Sequence, residues 1–158
     1  MPPRILIYRD RRESRHKCSL SAIRGLPGVE FARYVPGRRF SAGACVLLHP
    51  DGPELSRADL RRDLLLVDCS WRHLPQLLAS LDGEPAPRSL PRLVTAYPRK
   101  SKVFDDPDAG LASIEALFAA TVILGEPRPE LLIGYRYAEQ FLSANPSLSA
   151  YHAGSRAP

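Results

Sequence analysis

The first pattern in the chain is a short apolar run over residues 4–8 that ends in charge, which predicts a strand feeding a basic loop over residues 9–17. Residues 29–34 set Val29, Phe31 and Arg33 opposite Glu30, Ala32 and Tyr34, the two-residue period of a second strand, and residues 45–48 predict a third. Between the first two, residues 19–26 predict a short helix closed by the glycine and proline turn at 25–28. Ser56 stands three residues before Asp59, the spacing of an N-terminal capping box, so a short helix is expected there. Leu64, Leu65, Leu66 and Val67 form an unbroken apolar run, too short for a helix and suited to a strand buried on both faces. That run stops at Asp68. Trp71, Leu74, Leu77, Leu78 and Leu81 then recur at helical spacing until Gly83.

Residues 84–89 read as proline-rich connection, residues 93–97 as a last strand and residues 98–110 as a charged loop. Two helices follow. Residues 111–124 form one apolar-periodic stretch closed by Gly125, and residues 130–144 form another, with Pro129 near its start and Asn145 and Pro146 at its end. The fold class is α/β: a sheet-and-helix amino-terminal lobe over residues 1–90, a mostly helical carboxy-terminal lobe over 91–152 and a loose tail over 153–158. The 158 residues suit one compact domain, or two small lobes sharing a core.

Composition narrows the function classes. No apolar run is long enough to span a membrane and the first residues lack a signal-peptide pattern, so no membrane association is expected and the chain reads as cytoplasmic. Three cysteines without a CxxC pair argue against a disulfide framework or a zinc knuckle, and no metal is expected. Lys and Arg number 22 against 17 Asp and Glu, and only Lys17, Lys100 and Lys102 are lysine. Arginine donates paired hydrogen bonds to phosphate. Arg9, Arg11, Arg12, Arg15, His16 and Lys17 form one basic cluster and Arg99, Lys100 and Lys102 another; each reads either as a track for a nucleic-acid backbone or as a solvated face. There is no GxGxxG and no Walker-type phosphate loop.

The most informative tetrapeptide is Asp68-Cys69-Ser70-Trp71, where the most buried strand gives way to a helix. In open α/β sheets ligands bind at the carboxyl ends of strands, because loops diverge there and helix N-termini present unpaired N–H groups. The alternative is that Asp68 or Ser70 caps the helix and Trp71 fills the core. Ser113 and Glu115 open the later helix, Ser113 either as its cap or as a cap whose helix end also binds a carboxylate.

In their order along the chain these pieces resemble the small-subunit ribosomal RNA aminocarboxypropyltransferase family, relatives of the DTW-domain enzymes of tRNA. The resemblance is carried by His16-Lys17-Cys18-Ser19, by Leu48-His49-Pro50 followed by Leu55-Ser56 and Asp59, and by Val67-Asp68-Cys69-Ser70-Trp71. It continues through Arg88, Leu90 and Pro91, the string from Leu111 to Ala116, and Phe141, Leu142, Asn145, Leu148 and Tyr151. After Pro91 the sequence departs: Thr95-Ala96-Tyr97-Pro98 runs into Arg99-Lys100-Ser101-Lys102 where the family carries an AANPVNYG-like segment, and Ala112 replaces a family serine.

The resemblance implies a SPOUT-like fold with a deep knot forming a pocket for S-adenosylmethionine, and a monomer. It implies transfer of the 3-amino-3-carboxypropyl group to a uridine or pseudouridine base of RNA, rRNA first and tRNA second. Ser19, Leu48, Val67, Asp68, Trp71, Leu90 and Ser113 would line the cofactor pocket, with Asp68 and Trp71 at its reactive end. Arg9, Arg11, Arg12, Arg15, Lys17, Arg99, Lys100 and Lys102 would meet RNA. A SPOUT-type methyltransferase using the same cofactor, and a non-catalytic RNA-binding ribosome-assembly factor, are the alternative readings.

Overall fold

The computed structural model describes residues 3–12, 20–98 and 110–149. Its centre is a five-stranded sheet of β1 (Ile5–Asp10), β2 (Val29–Tyr34), β4 (Cys45–Leu48), β5 (Asp63–Asp68) and β7 (Ala86–Arg88), in the order β2-β1-β5-β4-β7, with every neighbouring pair parallel. A two-stranded parallel ladder joins β3 (Phe40–Ser41) to β6 (Leu81–Asp82).

Parallel sheets are covered on both faces, and side chains alternate between them with period two. Ile5, Ile7, Val46, Leu64 and Leu66 accordingly point to one face, into a core shared with Ile114, Leu117, Phe118 and Phe141. Leu6, Tyr8, Leu47 and Leu65 point to the other, against Leu77 and Tyr34, with Phe40 stacked on Tyr8 at 4.6 Å. The first face is covered by α2 (Ser113–Leu124) and α3 (Ala138–Ala144), the second by α1 (Leu74–Ala79), and α4 (Pro146–Ser149) follows α3. α2 buries residues all round its circumference, as a central helix must. It ends where Gly125 takes the left-handed conformation at φ 85°, the position that favours glycine.

Several sequence expectations are corrected. β1 continues through Arg9 and Asp10, so the basic loop begins later than residue 9. The capping box at Ser56 and Asp59 is present, but the helix it opens is a single 3-10 turn, Arg57–Asp59. The helix expected over 19–26 is likewise a 3-10 turn, Ser21–Ile23. The proline-rich connection contains β7, which tolerates Pro87 because it lies at the edge of the sheet.

Residues 93–97, expected as a strand, pair with no strand. Their backbone groups are satisfied instead by side chains: Asn145 accepts from the Val94 N–H and donates to the Val94 carbonyl, both at 2.8 Å, and Glu115 accepts from the Ala96 N–H at 2.9 Å. The helix expected over 130–144 breaks into a 3-10 turn, Pro129–Leu132, and α3. Gly134, between them, lies so close to Ala22 that a Cβ would collide with it, and Tyr135 turns inward to reach Glu115.

Candidate active site

Because every strand of the main sheet runs the same way, the carboxyl ends of all five share one edge. From β1 the chain turns outward to its neighbour β2, whereas from β5 it leads to the other side of the sheet, toward β7. The crevice between the ends of β1 and β5 is thus the point where connections diverge, the place where open α/β sheets bind ligands. Arg9 and Asp68 face each other across it in register.

Their side chains project to the face covered by α2 and α3, with Arg9 Nε 3.5 Å from Asp68 Oδ2, and both are nearly closed to water. A charge so placed needs compensation, and each contributes to the other's. Asp10, the next residue of β1, is fully buried. It accepts hydrogen bonds from the Arg12 backbone at 3.1 Å and from Arg12 Nε at 3.0 Å. Burial alone pushes the Asp10 carboxyl up, but the Arg12 hydrogen bonds and charge outweigh it and hold the group below the usual carboxylate range.

The turn after Asp68 does not cap α1. The residue at the helix N-cap is His73, whose ring Nδ1 lies 2.9 Å from Ser70 Oγ and 3.8 Å from Asp10 Oδ2. α1 begins only at Leu74, with Pro75 in its first turn, so the helical spacing that starts at Trp71 overstates its length. Trp71 is 59% exposed, which removes the reading of this tryptophan as core.

Leu48 ends β4 and Leu90 follows β7 by two residues; both pack partly buried on the α2-side core that contains Ile114. Val67 packs on the opposite face with Tyr8 and Leu65, so toward the Asp68 side it can offer backbone only. The strand end at Arg88 is braced by Asp59, whose Oδ2 lies 3.3 Å from Arg88 Nε and also accepts from the Ser56 backbone at 3.2 Å.

At the start of α2 the N-cap is Ala112, and Ser113 is the first helical residue, half-buried. The capping function falls to Glu115, which accepts from the Ala112 N–H at 2.8 Å. Glu115 is completely buried and accepts four hydrogen bonds: Thr95 hydroxyl and Ala112 N–H on Oε1, Ala96 N–H and Tyr135 hydroxyl on Oε2. It ties the segment before residue 98 to the helix end that carries Ser113. The sequence placed Glu115 beside Ser113 at the opening of the helix but gave it no role; a carboxylate among apolar neighbours at the third position of a helix was the available signal.

Of the expected RNA-facing residues, Arg11 and Arg12 are exposed, Arg12 held by Asp10, while Arg9 is buried against Asp68. Ser19, Arg15, Lys17, Arg99, Lys100 and Lys102 lie outside the described residues. Two arginines that the sequence reading assigned only to a short helix and a strand, Arg24 and Arg33, line a cleft of about 200 Å³ with Arg9, Asp10, Arg11 and Phe31.

The family described as Ribosome biogenesis protein, C-terminal, matches residues 46–157. A 16S rRNA aminocarboxypropyltransferase of Methanopyrus kandleri is 36% identical over 123 residues, spanning 74% of this chain and 69% of the relative. The chain belongs to the aminocarboxypropyltransferase family of ribosome biogenesis proteins. Another 16S rRNA aminocarboxypropyltransferase, from Halobacterium salinarum, is 37% identical over 112 residues, 69% of this chain and 63% of the relative. The solved structure of the SAM-dependent rRNA acp-transferase Tsr3 from Vulcanisaeta distributa is similar with a TM-score of 0.71 and 25% identity, over 98% of this chain and 85% of that one. The matched span of this aminocarboxypropyltransferase family member contains Leu48, Val67, Asp68, Trp71, Leu90 and Ser113, and begins beyond β1 and β2.

Proposed function

We propose that the protein transfers the 3-amino-3-carboxypropyl group of S-adenosylmethionine to a uridine or pseudouridine base of rRNA. The observation that carries the reading is that the family match covers the Asp68 turn, and that this turn stands at the diverging strand ends of a parallel sheet. The residues present fit the cofactor chemically. Asp68 offers a carboxylate toward a cation, exposed Trp71 an aromatic face, and Ser113 a hydroxyl at a helix N-terminus suited to a carboxylate. Leu48 and Leu90 offer apolar and backbone contacts, Val67 its backbone, and Ser19 completes the proposed set.

S-adenosylmethionine supplies a γ-carbon already activated by its sulfonium, with methylthioadenosine as the leaving group. The protein's part is therefore mainly orientation, which in well-aligned reactions supplies about 7 to 11 kcal/mol of barrier reduction. Arg9 fixes the Asp68 carboxylate, which either accepts the proton of the attacking base nitrogen or faces the sulfonium charge. Glu115 fixes the start of α2 and hence Ser113. Arg11, Arg12, Arg15, Lys17, Arg99, Lys100 and Lys102 supply positive charge toward RNA, and Arg9 acts through Asp68. By resemblance we further infer a SPOUT-like knotted chain with an α/β lobe over 1–90 and a helical lobe over 91–152, working as a cytoplasmic monomer. Among the described residues no helix is long and apolar enough to cross a membrane.

The test uses small-subunit rRNA and cofactor labelled either in the methionine carbon chain or in the methyl group. Chain label in RNA is the expected result. Methyl label would make the protein a methyltransferase, and neither label together with no cofactor binding would make it a non-catalytic assembly factor.

A further inference from the structure

We propose that the cleft between the carboxyl ends of β1 and β2 is a phosphodiester-binding subsite, which anchors a nucleotide neighbouring the target base of a single-stranded RNA. The inference rests on the RNA-modifying reading above but uses a different part of the fold, outside the family-matched span.

The argument starts from register. Arg33 of β2, Arg9 of β1 and Asp68 of β5 are aligned on three adjacent strands, and their positions place all three side chains on one face. Like charges set directly opposite each other destabilise a sheet. Arg9 is answered by Asp68 at 3.5 Å. Arg33 has no such answer: among the described residues no carboxylate lies within ion-pair distance of Arg33, Arg24 or Arg11, and Arg24 is held 4.1 Å over the ring of Phe31. Asp10 also lines the cleft, but its carboxylate is committed to Arg12 at 2.9 Å.

Three exposed arginines, Arg11, Arg24 and Arg33, thus line a hollow of about 200 Å³ together with Phe31. The volume suits a phosphodiester with bridging waters, each of which takes about 30 Å³ in the liquid. Guanidinium forks bind phosphate oxygens in pairs, and basic grooves with an aromatic element are how proteins hold single-stranded nucleic acid. Two strand spacings of about 4.8 Å set Arg33 roughly 10 Å from Asp68 along the edge. A strand held at the cleft therefore passes the crevice where the chemistry is proposed.

The experiment measures binding of a fluorescent single-stranded rRNA fragment to the full chain across a salt series, for wild type, Arg24→Gln, Arg33→Gln and the double variant. Arg61→Gln, an exposed arginine elsewhere on the surface, is the control. Each cleft variant is expected to weaken RNA binding about five- to tenfold, and to flatten the slope of log affinity against log salt by about 0.7 per lost phosphate contact. With turnover as a second readout, KM for RNA rises, while kcat at saturating RNA and cofactor affinity stay unchanged. Unchanged RNA affinity and salt slope in the double variant would overturn the subsite, as would equal losses for heparin and RNA, which would mean only general surface charge. Loss of cofactor binding or transfer in the wild-type protein would sink the parent reading instead, and leaves the RNA-binding comparison intact.

Discussion

Arg9 and Asp68 sit in register on adjacent parallel strands with their charged groups 3.5 Å apart, nearly closed to water at the edge where the proposed chemistry takes place. Removing one partner of a buried pair takes compensation away from the other charge. Asp68→Asn is expected to lower the unfolding free energy by about 3 kcal/mol in urea titration. Arg9→Met with Asp68→Leu should recover much of that loss, and the cycle of Arg9→Met, Asp68→Leu and the two together should show a coupling of about 1 kcal/mol or more. Additive single effects would mean that the pair does not act as a unit.

Glu115 offers a sharper test, because each of its two oxygens accepts from two donors. Whichever way the amide of Glu115→Gln turns, its NH2 group faces two donors. The variant should lose about 2 to 3 kcal/mol, against about 1 kcal/mol for Tyr135→Phe, which removes one hydrogen bond only. Thermal or urea unfolding of both variants decides the order, and the reverse order would refute the four-donor arrangement.

Asp10 predicts a pH dependence. Its folded carboxyl titrates below the ordinary value, so the folded state binds fewer protons than the unfolded state near pH 4. The stabilisation is present above the unfolded value of about 3.9 and is lost as pH falls through the folded one. Unfolding measured from pH 6 down to pH 2.5 should show a steeper acid loss for wild type than for Asp10→Asn; parallel curves would exclude the Arg12 interaction as the cause.

Trp71 separates binding from stability. Being mostly exposed, it should tolerate truncation to alanine within about 0.5 kcal/mol of stability. Cofactor affinity, by calorimetry, should fall about three- to tenfold if the indole packs on a sulfonium. Unchanged affinity would remove Trp71 from the proposed site.

What the sequence disclosed follows from what period and spacing can encode. β1, β4 and β5 declare themselves through apolar runs, β2 through its two-residue alternation, the helix ending at Gly125 through its stop signal, and the Ser56 and Asp59 box through its three-residue offset. The 93–97 segment and the break at Gly134 do not, because they are set by side chains arriving from about 50 residues away and by a close approach to Ala22. The place of Asp68 at the end of a buried strand was legible, whereas Arg9 was not legible as its neighbour: an arginine after an apolar run looks like the start of a loop until the neighbouring strand is known. Arg24 and Arg33 converge only through the pairing of β1 with β2.

The clasp between Asn145 and Val94 has a consequence for the order of assembly. A single carboxamide stands in for a neighbouring strand across 51 positions, so the backbone at residue 94 is set from a distance rather than by a pairing strand. As the chain emerges from a ribosome, β1 to β7 are all made while the backbone at residue 94 still waits for residue 145. The docking of residue 94 is thus a late event, timed by the arrival of that asparagine rather than by the completion of the sheet.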